Sequence, residues 1–181
     1  GADTVRIYLA FMGPYDQGGP WNPDGIQGVF RFLNRVWNFI SEPEEPKTID
    51  KEADKILNKA VKEIGEDIKN LKFNTGVSGL MKLLNALEDK WLTTKQYGTF
   101  LKLLAPFAPH ISEELWSRLS SHKSATRQSR IRDSRSESGQ IPKGYKSIHV
   151  EEWPEYDEAL LEDGFSRKQL LKYCGRMLWN N

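Results

Sequence analysis

The chain has 181 residues, 38% of them hydrophobic and 28% charged, with a net charge of +1, which suits one soluble domain with a sizeable apolar core. No apolar run approaches the roughly 20 residues of a membrane span, and the single cysteine, Cys174, excludes an internal disulfide framework and fits a reducing cytoplasm. The opening Gly1-Ala2-Asp3-Thr4 is neither an initiator methionine nor a signal peptide, so the chain is expected to begin mid-protein.

Val5 to Met12 reads as a short apolar helix or an extended segment ending at Gly13-Pro14. Asn22 is a candidate N-cap with Pro23 at the first helical position. From there Ile26, Val29, Phe30, Leu33, Val36, Trp37 and Ile40 recur at helical spacing until Pro43 and Pro46. A second helix is expected from about Thr48 to Leu71, with Gly65 in its interior marking close packing or a bend. A third runs from about Asn74 to Trp91, with Val77, Leu80, Met81, Leu84, Leu87 and Trp91 inward. The fourth spans about Thr94 to Ala105 and the fifth about Pro109 to Leu119. Short connections between helices make antiparallel neighbours, so residues 1–120 are expected to form an all-α, up-down bundle of four to five helices.

Beyond Leu119 the character changes. Ser121 to Lys146 is rich in serine and arginine with almost no apolar periodicity, and is expected to be disordered or a long loop. Residues 147–181 are expected to hold a brief strand-like segment at His149–Trp153 and a short C-terminal helix, with Leu170, Leu171, Cys174, Met177 and Leu178 as its apolar stripe.

Chemistry for bond-making is hard to find. No Gly-rich phosphate loop precedes a Lys-Ser or Lys-Thr pair, and no Cys/His cluster has metal spacing. His110, just after Pro106 and Pro109, reads as a capping or packed residue, and Glu113-Glu114 as first-turn carboxylates facing the helix dipole. Binding residues are easier to see. Arg31, Asn34, Arg35 and Asn38 recur three and four apart on the polar side of the first long helix, and such a guanidinium–amide stripe suits phosphate and ribose contacts. Lys82 and Asn85, three apart on the third helix, are candidates to extend it. The alternative use of all six is a solvated face or a set of buttressing ion pairs. The basic Ser/Arg stretch is a further electrostatic candidate for RNA.

The run Leu103-Leu-Ala-Pro-Phe-Ala-Pro-His-Ile-Ser-Glu-Glu-Leu-Trp116 resembles the helical anticodon-binding domain of class I aminoacyl-tRNA synthetases. Gly1–Pro14, Gly28–Trp37 and His149-Val-Glu-Glu-Trp-Pro154, in the same order, narrow the resemblance to leucyl-tRNA synthetases, over roughly residues 1–120 and 147–161. That family activates leucine with ATP and Mg and transfers it to tRNA. Its His-Ile-Gly-His-type and Lys-Met-Ser-Lys-Ser-type motifs do not occur here. The resemblance therefore implies a tRNA-binding part, cytoplasmic, with no cofactor of its own and no aminoacylation by itself. It also implies that the helix bearing Arg31–Asn38 lies along the inner face of the tRNA. The Ser/Arg insertion and the tail after Leu160-Leu161 depart from the family pattern. A second reading is a helical interaction module, completing a split synthetase with a separate catalytic polypeptide.

Overall fold

A computed structural model describes residues 1–14, 16–17, 19–41, 50–124 and 145–160. Six α-helices and two short 3-10 turns make up the described secondary structure: α1 (Ala2–Phe11), α2 (Gly25–Ser41), α3 (Lys51–Lys69), α4 (Phe73–Leu87), α5 (Thr94–Leu104), α6 (Pro109–Ser124), and the turns Ile148–Val150 and Glu158–Leu160. The all-α bundle is as expected, and the N-terminal segment left open between helix and strand is helical. The greater part of the Ser/Arg insertion (125–144) and the C-terminal stripe, Leu170 to Leu178, lie outside the described residues.

Several of these boundaries have a local cause. Asp50 caps α3 by accepting from the Glu52 and Ala53 amides at 2.8 and 3.3 Å. Lys90, just past α4, reaches back to Asp50 and Glu52. Burial raises the Asp50 carboxyl, but the two amides and Lys90 outweigh it and hold the group low. Thr93 and Gln96 form a reciprocal capping box at α5, and the buried Gln96 amide also donates to Asp54 at 2.7 Å.

Between α3 and α4 the Lys72 amide bonds the Asp67 carbonyl at 2.8 Å and the Leu71 amide that of Ile68 at 3.1 Å. This is a Schellman closure whose left-handed residue is Leu71, φ 56°, in place of the usual glycine. A Cβ there is strained and Leu71 is exposed, so Leu71→Gly is expected to stabilise the fold by about 0.5–1 kcal/mol. Urea unfolding checks this; a loss of stability would show that Leu71 contributes packing that outweighs the strain.

The core is formed by helices packed pairwise: α3 on α4 and α5, α1 on α2 and α4, and α6 on α2 and α5. Phe100, Leu80, Leu84, Leu101 and Leu115 are wholly buried at its centre. Phe39 of α2 meets Tyr97 and Phe100 of α5 edge-on, at 5.2 and 6.1 Å. Two expected core residues are not there. Phe30 is exposed and Phe32 is buried in its stead. At about 100° per residue Phe32 lies roughly 60° and Phe30 roughly 100° from the centre of the Val29–Val36–Ile40 arc, and counting Ile26 and Trp37 as core turns the expected face toward Phe30. Trp91 is 63% exposed because α4 ends at Leu87 and the helical phase stops with it.

Residues 145–160 form a strap across α6, α5 and α3. The expected strand at His149–Trp153 is instead the 3-10 turn followed by irregular extended chain. Glu113 anchors one end, accepting from Tyr145 Oη (2.7 Å), Ser147 Oγ (2.9 Å) and the Ile148 amide (3.1 Å). The other end is held by the buried Asn58, whose amide donates to the Asp157 carbonyl and accepts from the Asp157 amide, both at 2.7 Å. Between them Trp153 lies over Gly65, where an added Cβ would sit 3.3 Å from the indole nitrogen. Close packing is thus the reason for the mid-helix glycine. Lys102 ties the middle through Glu151 at 3.0 Å.

Burial pushes the Glu113 carboxyl up, but the bonds from Tyr145, Ser147 and Ile148, with His149 nearby, outweigh it and hold the group below the usual range. A depressed folded-state carboxyl stabilises the fold above its ordinary pKa and loses that contribution as pH falls through the folded value. Thermal stability is therefore expected to drop on acidification below about pH 4.5, and less steeply for Glu113→Gln. Melting curves across the acid range check this, and equal slopes for both proteins would contradict it.

Candidate nucleic-acid interface

The face of α2 turned away from the core carries two arginines and, over the whole helix, no acidic residue. Arg31, Asn34 and Asn38 stand exposed on it, opposite the buried Val29, Val36 and Ile40. The N-terminal end of this helix is fixed by Tyr8 of α1. Its hydroxyl donates to the Asn22 carbonyl at 2.7 Å and accepts from the Asn22 amide at 2.8 Å. Asn22 Oδ1 accepts from the Asp24 amide, and the helix proper begins at Gly25, two residues after the expected Pro23.

Arg35, the fourth member of the stripe, turns sideways to α4. Its Nη2 donates to Asn85 Oδ1 at 2.6 Å and to Glu88 Oε2 at 2.5 Å, and its Nε to Glu88 at 3.2 Å. Arg35 and Asn85, expected as parts of one surface, are thus in contact, and Lys82 stands exposed one turn earlier on α4. The Arg35–Glu88 pair is about a third exposed on both sides, a setting in which an ion pair contributes only about 0.2–1 kcal/mol. A phosphate approaching Arg35 meets Glu88 as a competitor, whereas Arg31 has no ion-pair partner among the described residues. Beside the stripe, Trp37 is half-buried against the core, and the Arg118 guanidinium of α6 covers its ring at 4.4 Å from the centroid.

Other groups resolve into structural roles. Asp3, buried at the start of α1, accepts from His110 Nδ1 and from the Ile111 amide, both at 2.7 Å. His110 is therefore held in a cap, and the capping carboxylate comes from 107 residues away. The first turn of α6 holds no acidic residue of its own. This corrects the first-turn role expected for Glu113 and Glu114, which lie one turn further on: Glu113 holds the strap and Glu114 pairs with Arg118 at 2.9 Å. Ser112 is fully buried and its Oγ has no hydrogen-bond partner among the described residues. Residues two apart on a helix do not share a face, so Asp3, His110 and Ser112 do not make a nucleophile–base relay.

A cleft of about 480 Å³ lies between α3 and the strap, lined by Val61, Gly65, Ile68, Trp153 and Tyr156. Its lining lysines, Lys62 and Lys69, are matched by Glu66 and Glu155, so it offers no excess positive charge to a nucleic acid. Among the described residues no His/Cys/Asp/Glu group could hold a metal, and no helix is long and apolar enough to cross a membrane.

The described residues thus form an all-helical bundle whose α2 turns a basic, amide-bearing face outward. The family model for the anticodon-binding domain of tRNA ligase matches residues 50–177, well over half of the chain, and the chain belongs to that family. Its curated relatives are leucine–tRNA ligases. That of Dehalococcoides mccartyi (strain CBDB1) is 40% identical over 178 residues, which is 90% of this chain and 19% of the relative. That of Chlorobaculum tepidum is 47% identical over 126 residues, 66% of this chain and 16% of the relative. Among solved structures, the ternary complex of Agrobacterium radiobacter K84 agnB2 LeuRS, tRNA and LeuAMS matches with a TM-score of 0.65 and 25% identity, over 90% of this chain and 21% of that one. The chain therefore spans about a fifth of the length of these relatives. The α2 stripe precedes the span matched by the family model; Lys82 and Asn85 fall within it.

Proposed function

We propose that the chain is the tRNA-docking helical part of a leucine–tRNA ligase, with Arg31, Asn34 and Asn38 as its principal contacts and Arg35, Lys82 and Asn85 as their flank. It contributes binding and orientation; the ATP- and Mg-dependent chemistry belongs to a part of the relatives that this chain does not span. The observation that carries the reading is the outward face of α2, cationic and amide-bearing without a single carboxylate on the helix. Phosphate contacts by arginine supply affinity without sequence readout, and amides serve ribose and base edges. Removing Arg31, Asn34 and Asn38 together (to alanine) is expected to weaken binding of leucine tRNA about 10–100-fold, the range of one or two charge-assisted contacts. Unchanged affinity from the folded triple variant would exclude α2 as the interface.

A second reading is favoured by a different surface. Val5 and Leu9, four apart on one face of α1, are exposed, as are Phe11 on another side of the helix and Trp21 beyond it, and exposed apolar residues of this kind suit packing against another polypeptide. In that reading the chain completes a synthetase with a separate catalytic polypeptide. Restoration of leucylation on mixing the two chains would support it, and its failure with a folded pair would count against it.

A further inference from the structure

We infer that Arg118 is a second-helix ligand for the tRNA backbone, so that the interface spans α2 and α6 rather than α2 alone. The inference rests on the docking function proposed for the α2 stripe. Among the arginines near that stripe, Arg118 is the one held in place while keeping its donors available. Its guanidinium lies over the Trp37 ring, 4.4 Å from the centroid, within the range of a cation–π contact. Its Nε donates to Glu114 at 2.9 Å. The Nη1 and Nη2 hydrogens make no bond among the described residues, which leaves four of the five guanidinium donors for a ligand. Arg35 contrasts with it, since Nε and Nη2 are both engaged by Glu88 and Asn85.

The stacking also lowers the cost of binding. An arginine already ordered on an aromatic face loses less side-chain freedom when it takes a phosphate. Trp37 sits between the exposed stripe and the core of α2, so it carries Arg118 to the edge of the same face as Asn34. The opposing charge at this point is Glu114 on α6, which competes with the phosphate; α2 brings none.

The test is a titration of fluorescently labelled leucine tRNA with the purified chain and four variants, with helicity checked by circular dichroism. Arg118→Ala is expected to weaken binding about 5–10-fold and to reduce the slope of log affinity against log salt by about 1. Arg118→Gln, which keeps part of the aliphatic stem and a polar end but not the charge, should lose the same salt dependence and guards against a packing defect. Glu114→Gln, which removes the competitor, should tighten binding about 2–3-fold, an effect that a purely structural Arg118–Glu114 pair would not give. Wild-type affinity and salt slope in both Arg118 variants, alongside weakened Arg31→Ala, would overturn the α6 contact and leave the α2 reading standing. No binding of any variant or of the wild type at low salt would overturn both.

Discussion

Replacing Asp3 with alanine is expected to lower the unfolding free energy by about 2–3 kcal/mol. The carboxylate is buried and serves two donors at 2.7 Å, the His110 ring and the Ile111 amide. The Ile111 amide is one of the first-turn donors that α6 cannot satisfy internally. A capping side chain typically contributes about 0.5–2 kcal/mol, and a hydrogen bond to a charged group about 1.5–3. Among the described residues the Ile111 amide has no other acceptor, and His110, already largely exposed, is left without its anchor. Asp3→Asn keeps one acceptor oxygen and is expected to lose about half as much. Urea denaturation measures the free energies, and amide exchange at Ile111 locates the change. An unaltered midpoint in Asp3→Ala would mean that water substitutes for the cap.

Asn58→Ala is the second large effect, expected at about 2–3 kcal/mol. Its amide pairs with both backbone groups of Asp157, and Asn58 itself is nine-tenths buried. Two neutral hydrogen bonds contribute about 0.5–1.5 kcal/mol each, and loss of the Asp157 amide's acceptor adds part of its desolvation cost, while the carbonyl keeps the Leu160 amide. The consequence is also local. Without Asn58 the far end of the strap loses this pair of bonds and leans on side-chain packing, Trp153 over Gly65 and Tyr156 beneath Lys62. Limited proteolysis should therefore cut within residues 151–160 faster in the variant, while α1 to α6 stay protected. Uniform loss of protection would show instead that the strap and the bundle unfold as one unit. Asn58→Asp separates the two bonds, since it keeps the acceptor for the Asp157 amide and sets an oxygen against the Asp157 carbonyl.

The helices were legible because their information is local. Apolar spacing in α3 and α4, the Asp50 cap and the Thr93–Gln96 box lie within a few residues of the elements they define. Gly65 shows the limit of that information: its cost in a helix was visible, while its cause, the Trp153 ring, lies 88 residues away in an irregular segment. Phe30 and Phe32 show another, since the half-buried Ile26 and Trp37, apolar by type, turn the expected core face of α2 toward the wrong phenylalanine. The candidate interface divides in the same way. The stripe Arg31–Asn34–Asn38 follows from helical periodicity alone. The turn of Arg35 toward Glu88 and Asn85 and the stack of Arg118 on Trp37 depend on helix pairings that no spacing records. Likewise the link between Gly1–Pro14 and Leu103–Trp116, two of the most informative stretches of the chain, is a side chain from one capping a helix in the other.

The docking account is tested most directly by titrating labelled leucine tRNA with the purified chain at low and near-physiological salt, against an unrelated tRNA. The account predicts saturable binding that weakens as salt rises, favours the leucine tRNA, and falls when Arg31, Asn34 and Asn38 are replaced. Absence of binding at low salt by a chain that is folded and helical would contradict it.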